Sequence, residues 1–215
     1  MSLVPTLLPT LVPTRAGMPR PTAPDVDPGL AFGRLTRAVS VLTTGAAPEQ
    51  WHGTTIDSLT LVSAGPPLVL VSVGHGSRTA LLVGAAGAFA VSVLAADQVG
   101  VARWFASRRR GSGAAQFAAA AQLTGGAAHT GGVGHRAGPH TGAPLLAGAL
   151  AWLECAVVSL SRAGDHTLVL GEVRDAVAGD SPRAAPLLRQ AGGYGTFDSA
   201  AGRPATAGRP GQMAD

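Results

Sequence analysis

The segment Leu68-Val69-Leu70-Val71-Ser72-Val73, closed off by Pro66-Pro67 before it and Gly74 after it, constrains the fold more than any other feature of the chain. A run so short, apolar and β-branched reads as a strand buried on both faces, since a helix of that length would not sustain its own nucleation. Phe89–Leu94 and Trp152–Leu160 read the same way, and Val39–Thr44 is a further strand that stops at Gly45. Trp51–Ser63 is threonine-rich and ends at the Gly65-Pro66-Pro67 break. The turn Arg162-Ala163-Gly164-Asp165 folds Trp152–Leu160 back onto His166–Val173 as a hairpin. Helices are fewer. Ser77–Ala86 is one, with Ser77 or Thr79 as its cap and Gly87 as its stop. Asp97–Arg110 is a second, with Trp104 and Phe105 on its apolar face and Arg108-Arg109-Arg110 in a last turn that complements the helix dipole. Gly111–Gly142, rich in alanine and glycine, reads as a long mobile excursion. Several short strands with a few helices predict a mainly β protein, a closed barrel with peripheral helices.

The length of 215 residues suits one domain. Seven of the sixteen prolines fall in residues 1–28, which read as a disordered tail, and residues 199–215 read as another, leaving a domain at 29–198. The N-terminus opens without a basic residue and is broken by Pro5, Pro9 and Pro13, unlike a signal peptide or a membrane span, so a cytoplasmic, soluble protein is expected. Every one of the 16 basic residues is arginine, the net charge is only +4, and aromatics make up 4%. A nucleic-acid surface would need a wider basic stripe with interleaved aromatics, so no nucleic-acid partner is expected. The single cysteine, Cys155, excludes an internal disulfide and a cysteine-based zinc site, and within its strand it reads as a core residue with Glu154 on the opposite face. His129, His135 and His140 lack carboxylates at ligand spacing and read as solvated loop residues, so no metal is expected.

Three places carry chemistry. The small polar groups of Thr54-Thr55-Ile56-Asp57-Ser58 suit either a polar-faced edge strand or a ligand whose ring edge alternates donors and acceptors. Gly74-His75-Gly76-Ser77-Arg78-Thr79 leads from a strand into a helix start, where free N–H groups, two hydroxyls and a guanidinium make a phosphate cradle. Capping explains the serine or threonine equally well, but not a cation in the first turn, which the dipole disfavours. His166 opens a strand just after a Gly-Asp turn, where a structural role is the ordinary one. Tyr194, the only tyrosine, suits packing or a cover over a pocket.

In chain order the segments Trp51–Thr60, Ser63 with Pro66–Val71, Ser77–Thr79, Gly87–Leu94, Gln98–Phe105, Leu146–Cys155 and Gly164–His166 resemble the flavin reductase-like family. The resemblance spans nearly all of residues 30–195 and implies an FMN-binding split barrel that works as a homodimer. It implies hydride transfer from NAD(P)H to FMN or FAD, with reduced flavin diffusing to a partner monooxygenase. It also implies flavin contacts at Thr54, Thr55, Ile56, Asp57, Ser58, Ser63 and Ser72, phosphate contacts at Ser77, Arg78 and Thr79, and Tyr194 beside the pocket. His166 would line the nicotinamide side as the catalytic residue. Asp57 departs from the serine or asparagine more usual there, and its carboxylate would oppose the charge of a reduced flavin. The sequence also leaves room for a bound flavin serving another acceptor, and for a flavin- or haem-binding barrel without reductase turnover.

Overall fold

Alternation along a single strand shows how the chain is layered. In Ser40–Thr44 every residue is buried, yet Val41 belongs to one apolar cluster and Leu42 to another. A strand buried on both faces must lie between two layers, and the computed structural model, which describes residues 28–124, 134–179 and 185–197, shows which they are.

In chain order the elements are α1 (Pro28–Gly33), β1 (Arg37–Ala38), β2 (Ser40–Thr44), β3 (His52–Ile56), β4 (Thr60–Ala64), β5 (Pro67–Gly74), α2 (Arg78–Ala86) and β6 (Ala88–Val93). There follow α3 (Val99–Ala106), entered by a 3-10 turn at Ala96–Gln98, then α4 (Ala114–Ala121), β7 (His135–Ala137), β8 (Pro144–Leu146), β9 (Ala151–Ala163), β10 (His166–Ala178), β11 (Leu187–Gln190) and β12 (Gly193–Thr196).

Seven strands form one antiparallel sheet in the order β3-β2-β6-β9-β10-β5-β4. One core cluster draws Leu42, Ile56, Val71, Phe89, Cys155 and Val169 from six of those strands, together with Val83 of α2. Strands at opposite ends of a sheet can share one interior only if the sheet curls until its ends approach. The seam is closed by a side chain: Ser58 Oγ donates to the Ser72 carbonyl at 2.9 Å and accepts from the Ser72 N–H at 3.0 Å. The outer face of β2 carries the second cluster, where Val39 and Val41 pack with Val101 and Phe105 of α3 and Phe117 of α4. A smaller sheet, β1-β11-β12, docks beside this layer through Leu187.

The expected strands form, with Trp51–Ser63 divided into β3 and β4, but burial on both faces holds only for β2 and β6: β5 alternates, burying Val69, Val71 and Val73 while Leu68, Leu70 and Ser72 are half-buried, and β9 is exposed from Val158 onward because the hairpin runs past the layer that covers it. The β9–β10 hairpin turns at Gly164, whose φ of 63° needs a glycine. Helix α2 is capped by Ser77, which accepts from Ala80 N–H, and stopped by Gly87 at φ 63°.

Three further expectations are corrected. Helix α3 ends at Ala106, because Ser107 turns extended at φ −76°, ψ 143°. Arg108–Arg110 therefore lie beyond the helix, and the dipole does not account for them. The stretch 111–142 is not simply an excursion: its alanines form α4, which buries Gln116, Phe117 and Ala120. Nor is His135 a solvated residue, for it stands edge-on to Trp51 at 5.1 Å and tilted against Phe117 at 5.3 Å. His129 and the tails at 1–27 and 198–215 lie outside the described residues. No helix among the described residues is long and apolar enough to cross a membrane.

Candidate functional site

Strand β3 divides its residues between two neighbours. Gly53 and Thr55 face α3, with the Thr55 hydroxyl donating to the Ala102 carbonyl at 2.7 Å. His52, Thr54 and Ile56 lie on the other face, by the period of two. Ile56 is in the barrel core, and His52 Nε2 lies 3.0 Å from the Thr79 hydroxyl of α2. Thr54 sits between them, half-buried, its hydroxyl without a partner among the described residues.

Asp57 is not a free carboxylate. Arg37 of β1 reaches it at 3.2 Å and Arg189 of β11 at 3.8 Å, so it ties the small sheet to the barrel and carries its own neutralising charge. Ser58 is committed to the seam described above. Ser63 and Ser72 are half-buried, and their hydroxyls make no hydrogen bond among the described residues.

The turn from β5 into α2 meets the β9–β10 turn at one end of the barrel. His166 pairs in register with Gly74, and the His75 N–H donates to the Asp165 carbonyl at 2.8 Å. His166 and the first turn of α2 thus share that end. His166 is exposed, its Nδ1 2.8 Å from Asp165 Oδ1, and this contact holds the Asp165 carboxyl below its usual range. Arg78 is exposed and forms no ion pair among the described residues. Tyr194 packs half-buried against the α3 cluster with the Arg103 guanidinium 5.9 Å over its ring, which supplies the packing role.

Sequence reasoning missed His52, although its offset of two from Thr54 places it on the same strand face. Its imidazole is only 2% exposed and its Nδ1 has no partner. Burial first, then the charges of Arg110 and Arg78, push it down to about 4, so it stands neutral. Arg110, dismissed with the helix end, also belongs to this neighbourhood. Desolvation first, then the Arg78 charge, hold its guanidinium below the usual arginine value.

Whether these residues suit a phosphorylated cofactor can be judged from what they leave unsatisfied. An N-terminal helix turn with a capping serine, an unpaired arginine and a buried imidazole nitrogen without a partner form a donor-rich, carboxylate-poor surface. That chemistry fits a phosphate, and the free hydroxyl of Thr54, on the strand face of His52, fits a polar atom of the same ligand; Ser63, in register with Leu68 at the opposite end of β5 from Gly74, is not brought to that place.

An antiparallel split barrel with a donor-rich helix start beside it is an architecture used by flavin-handling oxidoreductases. Residues 32–198 match the model of the flavin reductase like domain, and the chain belongs to that family. It is 41% identical over 142 residues, 66% of this chain and 70% of the other, to an NADH-dependent FAD reductase of Streptomyces globisporus. With an NADH:riboflavin 5'-phosphate oxidoreductase of Streptomyces pristinaespiralis it shares 35% over 175 residues, 80% and 89% of the two chains. Among solved structures, the flavin reductase component of a bacterial two-component tryptophan halogenase superposes with a TM-score of 0.67 at 35% identity, covering 78% of this chain and 94% of that one. A Streptomyces globisporus NADH:FAD oxidoreductase in complex with NAD and FAD fragments gives 0.65 at 37%, covering 78% and 89%.

Proposed function

We propose that this protein is an NADH-dependent flavin reductase, the component that supplies reduced FMN or FAD to a partner monooxygenase. The observation that carries the reading is the convergence, at one end of the barrel, of the α2 N-terminus with its unpaired Arg78 and the His166 turn. Flavin accepts hydride through its own ring chemistry, so the protein need only bind, orient and shield. Arg78 and the backbone N–H groups of the Ser77–Thr79 turn hold the phosphate, while Thr54 and Ser72 offer hydroxyls to the ring and the ribityl chain; Ser63, in register with Leu68 at the other end of β5, contacts the flavin only if the ring extends along the barrel. Thr55, Ile56 and Ser58 act through the backbone that their side chains anchor. His166 stands at the nicotinamide side, and Tyr194 supports the wall of the pocket from the α3 layer. Asp57, already paired to two arginines, brings little uncompensated negative charge to a reduced flavin.

Two copies assemble. Strand β4 is the outer strand of the barrel sheet and shows Leu61 at 70% and Val62 at 52% exposure, at a bulge in its pairing with β5. An apolar edge of that kind calls for a cover, and a second copy provides one. A cytoplasmic location follows from the supply of NADH.

Anaerobic stopped-flow absorbance at the oxidised-flavin band tests the reading. Mixing protein and excess FMN or FAD with NADH should bleach the band over many turnovers, and more slowly with NADPH. Flavin that binds but bleaches no faster than in buffer would leave a binding module in place of an enzyme.

A further inference from the structure

One residue ties the turn after β5 to the tip of the β9–β10 hairpin, and it does so twice. The His75 N–H donates to the Asp165 carbonyl at 2.8 Å, and the His75 Nδ1 lies 3.1 Å from the Thr167 hydroxyl. These contacts carry the β5–β10 ladder past its last register pair, Gly74 with His166.

Alternation decides which side each residue serves. Val69, Val71 and Val73 of β5 lie in the barrel core, and so does Val169 of β10. Residues two apart share a face, so His75 continues the line of the valines and Thr167 that of Val169, as the contact between them requires. Thr167 is only 9% exposed, and the His75 ring reaches it across the end of the barrel. His166 and Ser72 fall on the opposite, outer face of the same two strands. There Gly74 stands directly opposite His166 and carries no side chain. A Cβ on Gly74 would meet only Ser77 Cβ, at 3.8 Å, so packing does not demand the glycine, and the flank of the imidazole is left open to a flat ligand.

His166 does not hold that stance by its own side chain. Its partner, Asp165, is the next residue on the same exposed tip, so the pair moves as a unit. Beyond the ladder, the hydrogen bonds that join the tip to the start of α2 are those of His75. We propose that His75 is a positioning residue for hydride transfer: by bonding β10 from its inner face at Thr167, it fixes the stance of His166 on the outer face, and with it the seat of the nicotinamide. The proposal rests on the reading of His166 as the residue on the nicotinamide side. His75 acts through the hairpin and needs no contact of its own with flavin or nicotinamide.

Steady-state kinetics with NADH and equilibrium titration with oxidised flavin test it in the full chain, using wild type, His75→Ala, His75→Asn, Thr167→Val and the double variant of His75→Ala with Thr167→Val. Either single loss of the clamp should lower kcat/KM for NADH roughly tenfold, since a misplacement of about 1 Å can cost about a hundredfold, while the flavin Kd stays within about twofold of wild type. The double variant should be no worse than either single, because both remove the same contact. His75→Asn should regain most of the loss, since its carboxamide offers a donor and an acceptor near the place of Nδ1. A kcat/KM in His75→Ala within about twofold of wild type, additive losses in the double variant, or an equal loss of flavin affinity would overturn the proposal. Thr167→Val, close in shape to threonine, decides alone should His75→Ala fail to fold. A wild type that binds flavin but oxidises no NADH would remove the flavin reductase reading and the clamp with it, whereas an active wild type with unaffected variants removes only the clamp.

Discussion

Replacing Gly53 by alanine tests how tightly the helical layer sits on the barrel. A Cβ at this buried position would lie 2.5 Å and 2.7 Å from two ring carbons of Phe105 and 3.3 Å from Phe117 Cζ. Carbon atoms in ordinary contact stay about 3.5–4 Å apart, so the Phe105 ring must retreat by roughly 1 Å. It has little room: Phe105 is fully buried, its centroid lies 5.3 Å from that of Phe117, and Phe117 in turn stands 5.7 Å from Trp51. Overpacking of this kind costs about 1–3 kcal/mol, offset by about 0.4–1 kcal/mol because alanine restricts the unfolded chain. The net expectation is a loss of about 1–2 kcal/mol, or roughly 3–8 °C in Tm for a domain of this size. Urea unfolding followed by circular dichroism measures it, with the denaturant slope unchanged if only the native state is strained. Phe105→Leu alone is also destabilising, but it removes the atoms that clash. The double variant should therefore be more stable than the sum of the singles by about 1 kcal/mol. Additive losses, or a Gly53→Ala protein as stable as wild type, would refute the account of this interface.

Four further outcomes follow from described contacts. His52 is held near 4 against 6.5 in an unfolded chain, so its contribution is fully present above pH 6.5 and is lost as pH falls toward 4. Wild type should lose about 2–3 kcal/mol more than His52→Gln over that window in pH-dependent unfolding. Asp57→Asn should cost about 0.5–1 kcal/mol, because the ion pairs it breaks are partly exposed, and the difference should shrink in 1 M salt. Glu154, 1% exposed, accepts from the His140 and Thr141 N–H groups and the Thr141 hydroxyl, so Glu154→Ala should lose about 2–4 kcal/mol and loosen residues 138–143 in hydrogen exchange. Burial and the Glu154 charge push the Cys155 thiol up to about 12, so a thiol reagent should modify it only at the rate of unfolding.

Much of the barrel was legible because its strands are apolar runs fenced by glycine and proline, as at Leu68–Val73. The β9–β10 hairpin was legible from its turn. The end of α3 was not, since nothing in Ser107-Arg108-Arg109 forbids helix and the chain leaves it only to carry the connection back over β3. Helix α4 was hidden by the surrounding glycines, and it exists because Phe117 and Gln116 find partners on β3. The Ser77 cap of α2 could be read locally, since a cap and the helix it starts are neighbours in sequence. The duties of Thr55, Asp57 and Ser58 could not, because their partners are Ala102, Arg189 and Ser72, brought close only by folding. His52 was missed for the same reason, since its partner Thr79 is brought close only by folding.

The bond from the Gly53 N–H to the Gln116 side chain has a consequence for self-assembly. Within the barrel sheet β3 pairs only with β2, and its outward edge is occupied by α3 and α4, through Ala102 and Gln116. The opposite terminal strand, β4, has no such cover among the described residues. A sheet with a single open edge can accept one further strand, and when two copies meet edge to edge neither has another to offer. Along this sheet, then, edge-to-edge pairing would be limited to two copies: a chain blocked at β3 can lend the barrel sheet only its β4 edge and cannot extend it further.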